Sequence, residues 1–141
     1  MKKLILGGLI AIGTMISSSS FAQSIPAMVK ASLTKTYPTV KNVHWDKESP
    51  NYEAGFKLDG KEMSILMDSK GSILETETAI SNKELPASVF SYLKTKFGAA
   101  YKISETAFIV KADGTKIYEA EVKGLDYMFD NSGKFIKAQK D

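Results

Sequence analysis

Residues 25–37 read IPAMVKASLTKTY, and sixty residues later residues 85–97 read LPASVFSYLKTKF. Pro26, Ala27, Val29, Leu33 and Tyr37 match Pro86, Ala87, Val89, Leu93 and Phe97 at that one offset. The echo continues downstream: Tyr52-Glu53-Ala54 matches Tyr118-Glu119-Ala120, and Asp68-Ser69-Lys70-Gly71 before Ile73 matches Asp130-Asn131-Ser132-Gly133 before Phe135. The offset drifts from 60 to 66 and back to 62, so loop lengths differ while the elements keep their order. This is the signature of a tandem duplication, with repeats at 25–80 and 84–138. Whatever one half folds into, the other must fold into as well.

Each repeat opens with a helix signal, a Pro at the first turn followed by apolar residues on one helical face (Val29, Leu33 and Tyr37; Val89, Leu93 and Phe97). Pro38 and Gly98 end the two helices. The period then changes to two, with Tyr52, Ala54, Phe56 and Leu58, then Met63, Ile65 and Met67, in the first repeat. Tyr118, Ala120 and Val122, then Leu125, Tyr127 and Phe129, repeat the pattern in the second. Such alternation predicts half-buried antiparallel strands. Asp59-Gly60, Asp113-Gly114 and the two Asp-x-x-Gly stretches supply the hairpin turns. Each repeat therefore reads as one helix followed by four strands.

Ahead of the repeats, Lys2 and Lys3 precede an apolar run from Leu4 to Ile16, and Ser20-Phe21-Ala22 places small residues where a signal peptidase reads them. Residues 1–22 are expected to be a secretory signal peptide cleaved after Ala22, because the apolar run falls short of the roughly 20 residues a membrane span needs. Residues 23–141 then form a single exported domain, periplasmic or secreted, with no stable membrane anchor.

Loss of Lys2 and Lys3 takes the 19 basic side chains to 17, against 16 acidic ones, so the exported chain is close to neutral. Every one of those bases is Lys, so the planar fork that grips phosphate and guanine bidentately is missing. Nucleic acid is not an expected partner. With no Cys the chain has no disulfide and no thiolate, and its stability must come from a hydrophobic core. A repeat of this size would be marginal alone, since small domains bury too little of their surface. Joining the repeats edge to edge into one larger antiparallel sheet, both helices on one face, removes an exposed edge from each. The expected fold class is thus α+β.

The order of a Pro-led helix, Tyr37-Pro38, Val43-His44-Trp45, Tyr52-Glu53-Ala54, Asp-x-x-Gly and a second Leu-Pro helix resembles the PepSY-like family, which is described as similar to β-lactamase inhibitor proteins. The resemblance extends over essentially the whole exported chain. It implies an exported, non-enzymatic domain of two α-β units with no cofactor.

Among residues that could carry chemistry, His44 is the one His. Alternation turns it away from Val43 and Trp45, toward solvent, where a lone imidazole builds neither a two-His metal site nor a relay. Trp45 is expected in the core. The Asp-x-x-Gly stretches are too short for calcium loops, and Lys70 would put a cation in the site. There is no glycine-rich phosphate loop and no nucleophile elbow.

The same alternation turns Leu66 and Met128, equivalent positions of the two repeats, to the face opposite the helices. Leu74 and Ile136 follow across each turn in segments that are apolar at adjacent positions. These four, with His44 as a polar rim, are the expected contact surface for a protein partner, another exported or envelope protein, and self-association is compatible with it. Two alternatives remain at this stage: a small-ligand or lipid carrier, which needs a cavity between helices and sheet, and a hydrolase-type enzyme using His44 with a neighbouring carboxylate.

Overall fold

The computed structural model describes residues 24–140. The expected signal peptide and its cleavage point lie outside the described residues. Helix α1 (Ala27–Thr36) leads strands β1 (His44–Glu48), β2 (Asn51–Leu58), β3 (Lys61–Met67) and β4 (Ile73–Ala79). After a short 3-10 turn at Asn82–Glu84, helix α2 (Ala87–Phe97) leads β5 (Thr106–Lys111), β6 (Lys116–Val122), β7 (Leu125–Asp130) and β8 (Phe135–Gln139). The helix-then-four-strands unit occurs twice, as the duplicated sequence requires.

All eight strands form one antiparallel sheet in the order of the chain. The seam is the pairing of β4 with β5, running from Glu75 opposite Lys111 to Ala79 opposite Ala107. Two features hold the chain at that seam. Ser81 and Glu84 form a capping box, the Ser81 hydroxyl accepting from the Lys83 N–H at 3.2 Å and the Glu84 carboxylate from the Ser81 N–H at 2.8 Å. The Thr106 hydroxyl donates to the Ile80 carbonyl at 2.6 Å, so the entry to α2 is tied to the strand that leaves it.

Pro26 and Pro86 sit at the N-cap positions, one residue earlier than the first turn predicted for them. Tyr37, preceding Pro38, closes α1, and Gly98 at φ +79° closes α2. Each helix buries one narrow stripe, Val29 and Leu33 in α1, Val89 and Leu93 in α2. Beneath α1 lie Ala54, Phe56, Ile65 and Met67; beneath α2 lie Ala120, Val122, Tyr127 and Phe129. Burial of each large side chain contributes about 1.5–3 kcal/mol. Trp45 is half-buried and packs against the first of these clusters from its edge rather than within it.

Each helix is also locked to the turn at the far end of its own repeat. Ser32 Oγ donates to the Gly71 carbonyl at 2.6 Å, and Ser88 Oγ donates to the Ser132 carbonyl at 3.1 Å. The contact is so close that a Cβ on Gly71 would stand 2.7 Å from the Met28 carbonyl oxygen, and one on Gly133 2.8 Å from Pro86 Cβ. Both glycines also hold φ above +80°, so backbone conformation and space demand the same residue. This explains why Asp-x-x-Gly survives in both repeats.

Candidate functional site

With both helices on one face, the other face of the sheet carries no helix, and strand register decides which residues reach it. His44 pairs Gly55, Gly55 pairs Ser64, Ser64 pairs Glu77, Glu77 pairs Ile109 and Ile109 pairs Ile117, a row crossing six strands. A parallel row runs Asp46, Glu53, Leu66, Glu75, Lys111. In the second repeat Glu119 faces Met128 and Glu121 faces Asp126.

The result is a separation of charge between the two sides of the sheet. Ten of the sixteen acidic residues occupy open-face strand positions: Asp46, Glu48, Glu53, Glu62, Glu75, Glu77, Glu119, Glu121, Asp126 and Asp130. Only His44, Lys57, Lys111 and Lys137 stand among them as bases. Neither helix contains an acidic residue, and the helices carry Lys30, Lys35, Lys94 and Lys96. A chain with a formal net charge of +3 thus has one acidic side. Sequence reading followed the apolar alternation and passed over the polar one, although Glu75-Thr76-Glu77 and Glu119-Ala120-Glu121 show it plainly.

Several of these carboxylates are withdrawn from water. Glu53, Glu119 and Asp126 are buried, and Glu53 accepts the Ser64 hydroxyl at 2.6 Å across the β2–β3 pair. Other acids serve the loops. Asp68 Oδ1 accepts the N–H groups of Lys70 and Ser72, both at 2.9 Å, and Asp130 Oδ1 accepts those of Ser132 and Lys134 at 2.9 and 3.0 Å. Donation from Ser72 holds the Asp68 carboxyl below its ordinary value, and donation from the Ser132 hydroxyl does the same for Asp130. Thr115 lowers Asp113 in the β5–β6 turn, and the Ser81 N–H lowers Glu84.

Register places His44, Leu66 and Met128 on the open face, and Leu74 and Ile136 fall at irregular positions beside it; the five differ in exposure. His44 is exposed and its Nε2 lies 3.0 Å from Asp46 Oδ2. Ile136 is 48% exposed, whereas Leu66 and Leu74 are half-buried. Met128 corrects the expectation of an exposed stripe, since only 2% of it is exposed. It packs with Ile109 and Ile117 as an apolar island on the central strands of the second repeat, which alternation within β7 alone does not reveal.

Leu74 and Ile136 correct a second point. The register shifts between Leu66 and Met67 and again between Met128 and Phe129, so Met67 pairs Ile73 while Leu66 pairs Glu75, and Phe129 pairs Phe135 while Met128 pairs Lys137. Leu74 and Ile136 are therefore the extra residues of two equivalent β-bulges. The adjacent apolar pairs Ile73-Leu74 and Phe135-Ile136 reflect a bulge, which re-aims a side chain, and not a strand buried on both faces.

A family model described as "Putative beta-lactamase-inhibitor-like, PepSY-like" matches residues 15–75 and, a second time, residues 64–137. The chain belongs to the PepSY-like family. No curated protein matches it. Solved structures share the fold of this PepSY-like chain at low identity. A DUF2874 family protein of Bacteroides uniformis has a TM-score of 0.71 at 23% identity, covering 81% of this chain and 88% of its own. A "putative periplasmic" protein of Bacteroides eggerthii gives 0.73 at 20% identity over 82% and 88%, and a BLIP-like protein of Bacteroides fragilis gives 0.66 at 19% over 81% and 85%. The double match of the family model agrees with the two helix-and-strand units.

Proposed function

We propose that this PepSY-like chain is an exported, non-enzymatic protein-binding module that uses the open sheet face and its hairpin loops to hold another exported or envelope protein. The observation that carries the reading is the open face itself, which bears no helix and concentrates the acidic residues, with Ile136 exposed at the bulge on its edge strand. A partner with a lysine- or arginine-rich surface fits it, since complementary charge speeds encounter and fixes orientation. The inhibitor-like description of the family and the periplasmic description of one structural neighbour support export and binding.

The rival readings have less behind them. A hydrolase-type centre at His44 would sit on an exposed surface, with the imidazole 67% accessible, where water is not excluded. A carrier needs space under the helices, and Val29, Val89 and Leu93 are fully buried there. The groove of about 320 Å³ lined by Lys61, Thr78, Ile80, Glu84, Phe108 and Tyr118 lies over the seam instead.

The test compares cross-linked capture from native envelope by the exported chain and by a Leu66→Lys, Ile136→Lys double variant with an unchanged thermal transition. Met128 is left alone because a Lys there would be buried. One basic protein captured by the parent and lost by the variant is the expected result. Identical capture by both overturns the assignment of the open face.

A further inference from the structure

The two repeats differ at one point on the helix side where the difference opens a space. In the second repeat Tyr92 stacks on Phe135 with ring centroids 4.5 Å apart and meets Phe129 edge-on at 5.5 Å. The equivalent positions of the first repeat hold Ser32, Ile73 and Met67, so all three rings are missing there. Beside Ser32 lies an open crevice of about 390 Å³, lined by Met28, Ala31, Ser32, Lys35, Lys70, Gly71 and Ser72. Its lining contains two ammonium groups and no carboxylate. It also contains Met28, which at 62% is the most exposed of the large apolar side chains described. At the equivalent positions the second repeat has Ser88 for Met28, Thr95 for Lys35, Ser132 for Lys70 and Lys134 for Ser72, so the apolar side chain and the pair of cations are particular to the first repeat.

We propose that this crevice binds a small organic anion with a flat apolar body, of the class of an aromatic carboxylate. The ring would lie against Met28 and Ala31, in the region where the second repeat supplies its own ring, and the carboxylate would meet Lys35 and Lys70. Size allows it, since a cavity of about 150 Å³ already admits benzene. The two cations are not equal. Asp68 shares the tight turn with Lys70 and accepts its N–H, whereas α1 has no acidic residue beside Lys35, so Lys35 carries more of the ligand's charge. The site is separate from the open sheet face and stands or falls without it.

The experiment is a titration of the isotope-labelled exported chain with sodium benzoate, followed by amide chemical shifts, with benzyl alcohol as the uncharged control. Saturable shifts at 28–35 and 70–72 are expected with benzoate, and at least fivefold weaker binding with the alcohol. Lys35→Gln should weaken benzoate binding about fivefold and Lys70→Gln about twofold, in keeping with loss of a charge-assisted contact. Ser32→Tyr, which restores the ring of the second repeat, should abolish it. Should Ser32→Tyr fail to fold, the two lysine variants carry the test alone. Non-saturating shifts, equal binding of the uncharged control, or binding untouched by Lys35→Gln would overturn the proposal.

Discussion

The two repeats share a plan and differ in filling. Both place a helix over the same face, fasten it by a serine to the Asp-x-x-Gly turn, and bulge the strand after that turn. Beneath α2 the packing is aromatic, with Tyr92, Phe97, Tyr127, Phe129 and Phe135 in a connected set of ring contacts. Beneath α1 the corresponding region holds Ser32, Met67 and Ile73 and keeps a single ring pair, Tyr37 with Phe56 at 5.2 Å. On the open face the second repeat buries Ile109, Ile117 and Met128, while the equivalent positions of the first hold Glu48, Asn51 and Leu66. The backbone contacts that define the unit have therefore been kept in both copies, and side-chain volume has been free to move from one half to the other.

Core truncation should reveal this contrast most strongly. Phe129→Ala is expected to cost about 4 kcal/mol, and Met67→Ala, its counterpart, about 3 kcal/mol. Because the sheet is continuous through β4 and β5, both should shift one and the same urea transition. Two separate transitions would show that the halves are energetically independent.

The turn glycines sharpen the comparison next. At Gly71 an added Cβ meets the backbone carbonyl of Met28, which cannot yield, whereas at Gly133 it meets the hydroxyl of Ser88 and the Pro86 ring. Gly71→Ala should therefore cost about 3 kcal/mol and Gly133→Ala about 2 kcal/mol, read from thermal or urea unfolding. Equal costs would mean that left-handed φ alone sets the penalty.

The capping box bridges the junction, from Ser81 between the repeats to Glu84 at the start of the second. Ser81→Ala is expected to cost about 1 kcal/mol without altering the pairing of β4 and β5, measurable as a shift in midpoint at constant m.

Acid has a smaller, graded effect. Asp68, Asp113 and Asp130 are held below the ordinary value of 3.8, so their contribution is complete above that value and is lost as pH falls through the lower folded values. Stability should decline as pH drops below about 4. Asp68→Asn and Asp130→Asn should each reduce that dependence, and to a similar degree, because the two turns are equivalent.

Helices, hairpins and the joined sheet were legible because each rests on a local periodicity or a turn residue that the duplication writes twice. Val29 and Leu33 announced their helical stripe, and Tyr52 to Leu58 their strand, within a single element. The bulges were not legible, since Ile73-Leu74 and Phe135-Ile136 read equally well as a buried strand until the partner's register is known. Met128 failed for a similar reason: its burial depends on Ile109 and Ile117, eleven or more residues away and on other strands. The acidic face was present in the sequence, but only as alternation of polar residues, and it becomes a surface when six or more strands align.

The seam has a consequence for the ends of the sheet. In the duplicated order β5 corresponds to β1 and β8 to β4, so the two outer edges of the molecule are copies of the two edges that meet in its middle. The joint is head-to-tail, a rule that one chain applies once and that, on geometry alone, could be applied again from β8 of one molecule to β1 of the next. Both edge strands are only five residues long, with Lys47 on β1 and Lys137 on β8. Short, charged edges of this kind discourage strand addition, and here they stop a fold that contains the instructions for its own extension.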